Sequence, residues 1–222
     1  MKLSIRPGLA ATIVLIAGLT ACSSAPPVRY HTLLAPAAQT IAHGEPAAFL
    51  IDVLPVGIPA QLDQPQLVVR AGDSSLALLD GERWAGPLSD ELRNALSAQL
   101  TRKLDTLDIA GLPRSTDKPV LRIKLQVRRF DAWPGQRVRL DADWSLGLAD
   151  ETGNARLICH GQFDEPVSGN YPELVQAQQR ALAALADRIA TDARSWMGSR
   201  QSDCTTTGAV TSKDTLNSRT TP

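Results

Sequence analysis

Three times between residues 121 and 163 the chain alternates apolar and polar side chains. Leu121, Ile123, Leu125 and Val127 alternate with Arg122, Lys124, Gln126 and Arg128. Trp133-Pro134-Gly135 then reads as a turn. Val138, Leu140, Ala142, Trp144, Leu146 and Leu148 alternate with Arg137, Arg139, Asp141, Asp143 and Ser145. A second turn region over 150–154 contains Gly153, and 155–163 supplies the third strand. Successive side chains of a strand point to opposite sides, so a period of two gathers the apolar set on one face. The pattern predicts an antiparallel meander, buried on one face and polar on the other. Such a sheet cannot stand alone, and the rest of the chain must cover its apolar side.

Two helical patterns can do so. Leu88, Leu92, Ala95, Leu96, Gln99, Leu100 and Leu104 recur at spacings of three and four, which makes one apolar stripe. Pro87 suits a first turn, and Asp90 and Glu91 place acid near the positive end of the helix dipole. A longer helix is predicted over 172–197, with Leu174, Val175, Gln178, Leu182, Leu185, Ala186, Ile189, Ala193 and Trp196 as its stripe and Gly198 as its stop. Upstream, 49–56 reads as a strand ended by Pro55 and Pro59. Residues 66–70 form another, 71–74 a turn, and 75–79 a strand closed by Asp80-Gly81. Residues 107–110 could add a short strand. The fold class expected is α/β, a two-layer sandwich of mostly antiparallel sheet covered by two helices. Three strands and a helix, followed by three strands and a helix, suggest two similar halves, although no residue-level repeat accompanies them.

The first 21 residues read as a targeting segment. Lys2 and Arg6 precede a short apolar run over 9–18, too short to cross a bilayer as a mature helix. Leu19-Thr20-Ala21-Cys22 then resembles the bacterial lipobox. In that reading Cys22 takes a diacylglyceryl group, cleavage falls before it, and its amine is acylated. Two or more acyl chains make a stable anchor where one is marginal. Ser23 follows; in enterobacterial sorting Asp at that place favours inner-membrane retention, so Ser23 points to the outer membrane, periplasmic face. The organisation expected is a signal peptide over 1–21, a lipid anchor and spacer over 22–48, an α/β domain over 49–197 and a disordered Ser/Thr-rich tail over 198–222.

Removing the signal leaves about 200 residues, enough for one sizeable core. The 23 basic and 23 acidic residues balance, so no basic excess invites nucleic acid. Aromatics are few and the core must be aliphatic. Cys159, in a strand, and Cys204, in a polar tail, sit in a compartment that permits a disulfide. Their separate settings favour a buried free thiol at Cys159 instead.

Chemistry is sparse. His31, His43 and His160 are scattered, no metal spacing occurs, and no nucleophile elbow, phosphate loop or dinucleotide fingerprint is present. No catalytic residue, metal or cofactor is expected. Asp141 and Asp143 share a strand face and could form a carboxylate pair for an envelope hydrolase. Arg122, Lys124 and Arg128 on the preceding strand explain the same residues as cross-strand charge pairs. Trp84 within Glu82-Arg83-Trp84-Ala85-Gly86-Pro87-Leu88 reads first as a staple between helix and sheet. An exposed Trp84, with Arg83, would instead be a partner-binding anchor.

With those residues in view, the chain resembles the ABC-type transport auxiliary lipoproteins of the paraquat-inducible PqiC (YmbA) type. The matching segments run in order: Cys22-Ser23-Ser24; Arg29-Tyr30-His31-Thr32-Leu33; Ile51-Asp52-Val53-Leu54-Pro55-Val56-Gly57-Ile58-Pro59; Leu62-Asp63-Gln64-Pro65-Gln66-Leu67-Val68-Val69-Arg70; and Arg83-Trp84-Ala85-Gly86-Pro87-Leu88. His31 departs from the Tyr common there, and the Ser/Thr tail is additional. The resemblance implies a non-enzymatic outer-membrane lipoprotein, a docking subunit for a periplasmic mammalian-cell-entry (MCE) domain protein and its ABC permease partners in envelope lipid transport. Homo-oligomerisation is left open. A periplasmic lipid-binding carrier is the alternative, and it requires a continuous apolar cavity.

Overall fold

A computed structural model describes residues 27–36, 45–113, 118–150, 156–200 and 203–204. Among these residues seven strands and two α-helices follow in order: β1 (Arg29–His31), β2 (Leu50–Val53), β3 (Gln66–Arg70), β4 (Leu76–Trp84), α1 (Leu88–Leu104), β5 (Val120–Trp133), β6 (Arg137–Leu148), β7 (Leu157–Pro166) and α2 (Tyr171–Ser199). They form an α/β fold with two mixed, mostly antiparallel sheets, one of three strands and one of four.

The predicted meander is the larger sheet. β5, β6 and β7 pair antiparallel in chain order, and β2 adds in parallel beside β5. Leu121, Ile123, Leu125, Val138, Leu140, Ala142, Trp144 and Leu146 are all buried on its inner face. α2 lies across β6 and β7, and α1 packs beside α2 over β2. One buried polar link crosses this core: Trp144 Nε1 donates to Asp192 Oδ2 at 3.0 Å. Gly161 leaves room for the indole, since a Cβ there would come within 3.0 Å of Trp144 and Phe163. α2 starts at a capping box, Asn170 with Glu173, which satisfies two otherwise unpaired N–H groups. It runs past Gly198 and stops at Arg200, in the left-handed conformation, whose N–H bonds Trp196 O at 2.9 Å.

The smaller sheet has the order β1-β4-β3, with β1 parallel to β4. Here the sequence expectations need correction. The strand over 49–56 narrows to four residues and leaves its neighbours for the larger sheet, so the chain does not make two similar halves. Asp80-Gly81 does not close its strand. β4 continues to Trp84, and Asp80, Gly81 and Glu82 bulge out between the Leu67–Leu79 and Gln66–Arg83 pairs. A bulge bends and twists a strand without ending it. Residues 107–110 contribute one bridge, Asp108 to Ile51, where the Ile51 N–H donates to Leu107 O and the Ile109 N–H donates to Ile51 O, sealing the outer edge of β2. The two sheets are tied by a partly buried ion pair, Arg70 Nε to Asp131 Oδ1 at 2.9 Å.

Cys159 is not a free thiol. It is disulfide-bonded to Cys204, with Cα atoms 5.7 Å apart. Cys159 points inward from β7, an edge strand, and the chain beyond α2 turns back to reach it. The other residues after Arg200, save Asp203, lie outside the described residues, as do the signal segment, Cys22 and the spacer up to residue 26.

Candidate functional site

The segment that would follow a lipid anchor is built into the body. β1 falls within the stretch read as spacer, yet Arg29, Tyr30 and His31 pair in register with Glu82, Arg83 and Trp84. Two motifs 50 residues apart in the sequence thus become neighbours. Glu82 is 3 % exposed and receives both basic side chains of β1. Arg29 Nε donates to Oε1 at 2.9 Å, and His31 Nε2 lies 2.6 Å from Oε2. Burial pushes the Glu82 carboxyl up, but the hydrogen bonds and charges of His31 and Arg29 outweigh it and hold the group below its ordinary value.

A second set of bonds fixes the residues just after β1. Glu91, in the first turn of α1, accepts from Thr32 Oγ1 at 2.7 Å and from the Leu33 N–H at 2.8 Å. Gln179 of α2 donates to Thr32 O at 2.9 Å, and the Ala85 N–H donates to His31 O at 2.8 Å. Leu33 is buried. β1 is therefore latched to β4 and to both helices, through charge, backbone and apolar contact together.

Trp84 belongs to the core. It is 5 % exposed and packs inward beside the start of α1, so its ring is not presented to a partner and the exposed-anchor alternative is corrected. Its neighbour Arg83 is half-buried on the opposite face, beside Tyr30, with its Nε buried and lacking a hydrogen bond. Position alone separates the two residues: alternation along β4 turns one in and the other out. The missed functional feature is Glu82, which adjacency to a Trp in the sequence did not reveal.

The outer face of the larger sheet is a ladder of charge. Arg128 Nε donates to Asp143 Oδ2 at 2.6 Å, and His160 Nδ1 lies 2.7 Å from Oδ1. Arg129 lies 3.9 Å from Asp141, Arg122 pairs with Asp52 and Arg139 with Asp164. The His160 hydrogen bond, with a further one from Arg128, holds the Asp143 carboxyl below its usual range despite partial burial. The contacts with Arg128, His160 and Arg129 account for Asp141 and Asp143 as cross-strand charge partners. Lys124 stands opposite Ser145 in this face. Among the described residues no group of three or more His, Cys, Asp or Glu could hold a metal ion, and no helix is long and apolar enough to cross a membrane.

The sequence profile of the family described as "ABC-type transport auxiliary lipoprotein component" matches residues 31–190. A search of curated proteins returns no match. Among solved structures, the chain is similar to an uncharacterized protein at 20 % identity and a TM-score of 0.59, covering 76 % of this chain and 99 % of that one. It is also similar to a Xanthomonas campestris protein of the DUF330 family at 15 % identity and a TM-score of 0.55, covering 77 % and 94 %. At these identities the two structures speak to the fold.

Proposed function

Because this chain belongs to the family of ABC-type transport auxiliary lipoprotein components, we propose that it is a non-catalytic docking subunit of an MCE-type ABC transport system for envelope lipids. It is held by lipid on Cys22 at the periplasmic face of the outer membrane. The observation that carries this reading is the latch: the strand nearest the anchor is bonded into the body through Glu82, Glu91 and Gln179. A pull on the anchor reaches the core directly, as a tethered docking module requires. Tethering also raises the effective concentration of a partner confined to the same narrow space. The docking surface is the charged outer face of the larger sheet, where paired rungs and the open Lys124 offer a polar, oriented surface for a periplasmic MCE-domain protein.

The experiment is affinity capture of the tagged full-length protein from solubilised envelope. An MCE-domain protein and its ABC permease partners should be recovered, and Lys124→Glu with Arg122→Glu should reduce that recovery severalfold. Recovery of none of these partners, or recovery indifferent to the charge reversal, sinks the docking reading or its surface respectively. Cys22→Ala should leave an uncleaved precursor without acyl label. Phospholipid retained stoichiometrically in native mass spectrometry would turn the reading towards a lipid carrier.

A further inference from the structure

Residues paired across neighbouring strands, and residues two apart along one strand, point to the same side of a sheet. In the smaller sheet Tyr30 pairs with Arg83, Arg83 with Gln66, Val68 with Leu78 and Arg70 with Leu76. These residues therefore share one face, whose Val68 is itself buried and whose Arg70 is partly covered by its pair with Asp131. Leu67, Val69 and Trp84 occupy the other and are buried in the core. The shared face carries large apolar side chains left in the open: Tyr30 is 67 % exposed, Leu78 48 % and Leu76 39 %. Val28 and Leu34, on either side of β1, are exposed as well. The outer face of the larger sheet carries mostly charged and polar side chains, with Ile158 opposite Ser145 as its exposed apolar residue.

We infer that this apolar face of the β1-β4-β3 sheet rests on the bilayer that holds the Cys22 acyl chains, with Tyr30 at headgroup level. The inference builds on the lipid-anchor reading of Cys22 and adds an orientation to it. Five residues lie between Cys22 and Val28, and the six steps from one to the other, fully extended, reach at most about 21 Å. The start of β1 therefore cannot leave the membrane surface by more than about that distance. An apolar face that begins at the end of so short a tether meets headgroups before it meets anything else. Tyr has an amphipathic ring favoured at that level, while half-buried Arg83 beside it provides a cation for lipid phosphate. Turning the charged sheet to the lipid instead would strip water from its ion pairs. This orientation leaves the charged face open to the periplasm.

The test uses full-length protein reconstituted in vesicles of phosphatidylethanolamine and phosphatidylglycerol, with photoreactive benzoylphenylalanine placed singly at positions 30, 78 and 124. Lipid adducts at 30 and 78 should exceed those at 124 severalfold. The same three variants are irradiated in intact envelopes. Equal lipid yields at the three positions overturn the inference. So do protein adducts at 30 and 78 in envelopes with lipid adducts no higher than at 124, which assign the face to a protein partner. The mass of the N-terminal peptide separates the two readings. Acylated Cys22 with no lipid preference at 30 and 78 removes the orientation and keeps the anchor; unacylated protein removes both.

Discussion

The two sheets turn opposite kinds of surface outward, and they are held together in opposite ways. The larger is assembled from hairpins, covered by two amphipathic helices, and faces water with a ladder in which Asp52, Asp141, Asp143 and Asp164 each meet an arginine. The smaller is assembled from a three-residue parallel strand and a bulged hairpin, and faces outward with Tyr30, Leu76 and Leu78. Charged rungs keep an exposed sheet from associating indiscriminately, whereas an apolar face invites a partner or a lipid surface. If the smaller sheet meets lipid as proposed, stability and attachment fall on different sheets, and the Arg70–Asp131 ion pair joins the two.

The sharpest way to break this contrast is to cut equivalent leucines. Leu125 lies under the larger sheet at 1 % exposure, and Leu125→Ala should cost about 2 to 5 kcal/mol through lost burial and a residual cavity. Leu78→Ala on the smaller sheet should change stability by no more than about 0.5 kcal/mol. Denaturant midpoints decide it, and similar losses at both positions would mean that the smaller sheet's face is covered by the protein itself. The disulfide comes next. It closes a separation of 45 residues at the open edge of the larger sheet, so Cys204→Ser should cost about 2 to 4 kcal/mol. Reducing the native protein should lower its Tm to that of the variant and leave the variant unmoved.

The same contrast explains what could be read in advance. β5, β6 and β7 pair with their chain neighbours, so alternation along 121–163 carried both the strands and their buried faces. The helix stripes at 88–104 and 174–196 were legible for the same local reason. β1 was hidden because three residues give no period and its partner lies 53 residues away. The β4 bulge was hidden because Asp-Gly has the same chemistry in a turn and in a bend. The partner of Cys159 was hidden because a polar tail gives no apolar signal of its return to the core. Trp84 could be placed only once its pairing with His31 set which way it faced.

The latch should show itself in acid. The folded pKa of Glu82 lies below its ordinary value of 4.5, so the unfolded chain takes up a proton first as the pH falls. The stabilisation is complete above about 4.5 and is lost as the pH drops through the folded value. Glu82→Ala should cost about 1 to 3 kcal/mol at neutral pH, because it strips hydrogen bonds from Arg29 and His31. It should also flatten the fall in Tm between pH 6 and pH 3, relative to wild type, by removing one of the carboxylates that cause it. A variant that keeps the full acid slope would show that other carboxylates, Asp143 and Asp164 among them, account for all of it.

The smallest effect belongs to the rungs of the ladder. Arg128 is 60 % exposed and Asp143 31 %, so water and salt screen a pair that looks strong by distance alone. A double-mutant cycle of Arg128→Ala and Asp143→Ala should give a coupling of about 0.2 to 1 kcal/mol, shrinking as salt is added. Against the cost predicted at Leu125, a coupling this small would mean that the outward charges do little to hold the sheet together. Their position along the whole outer face is then better explained by what they meet in the periplasm than by what they hold in place. A coupling well above that range, unchanged in high salt, would make the ladder a structural element and remove the main reason for assigning it to a partner.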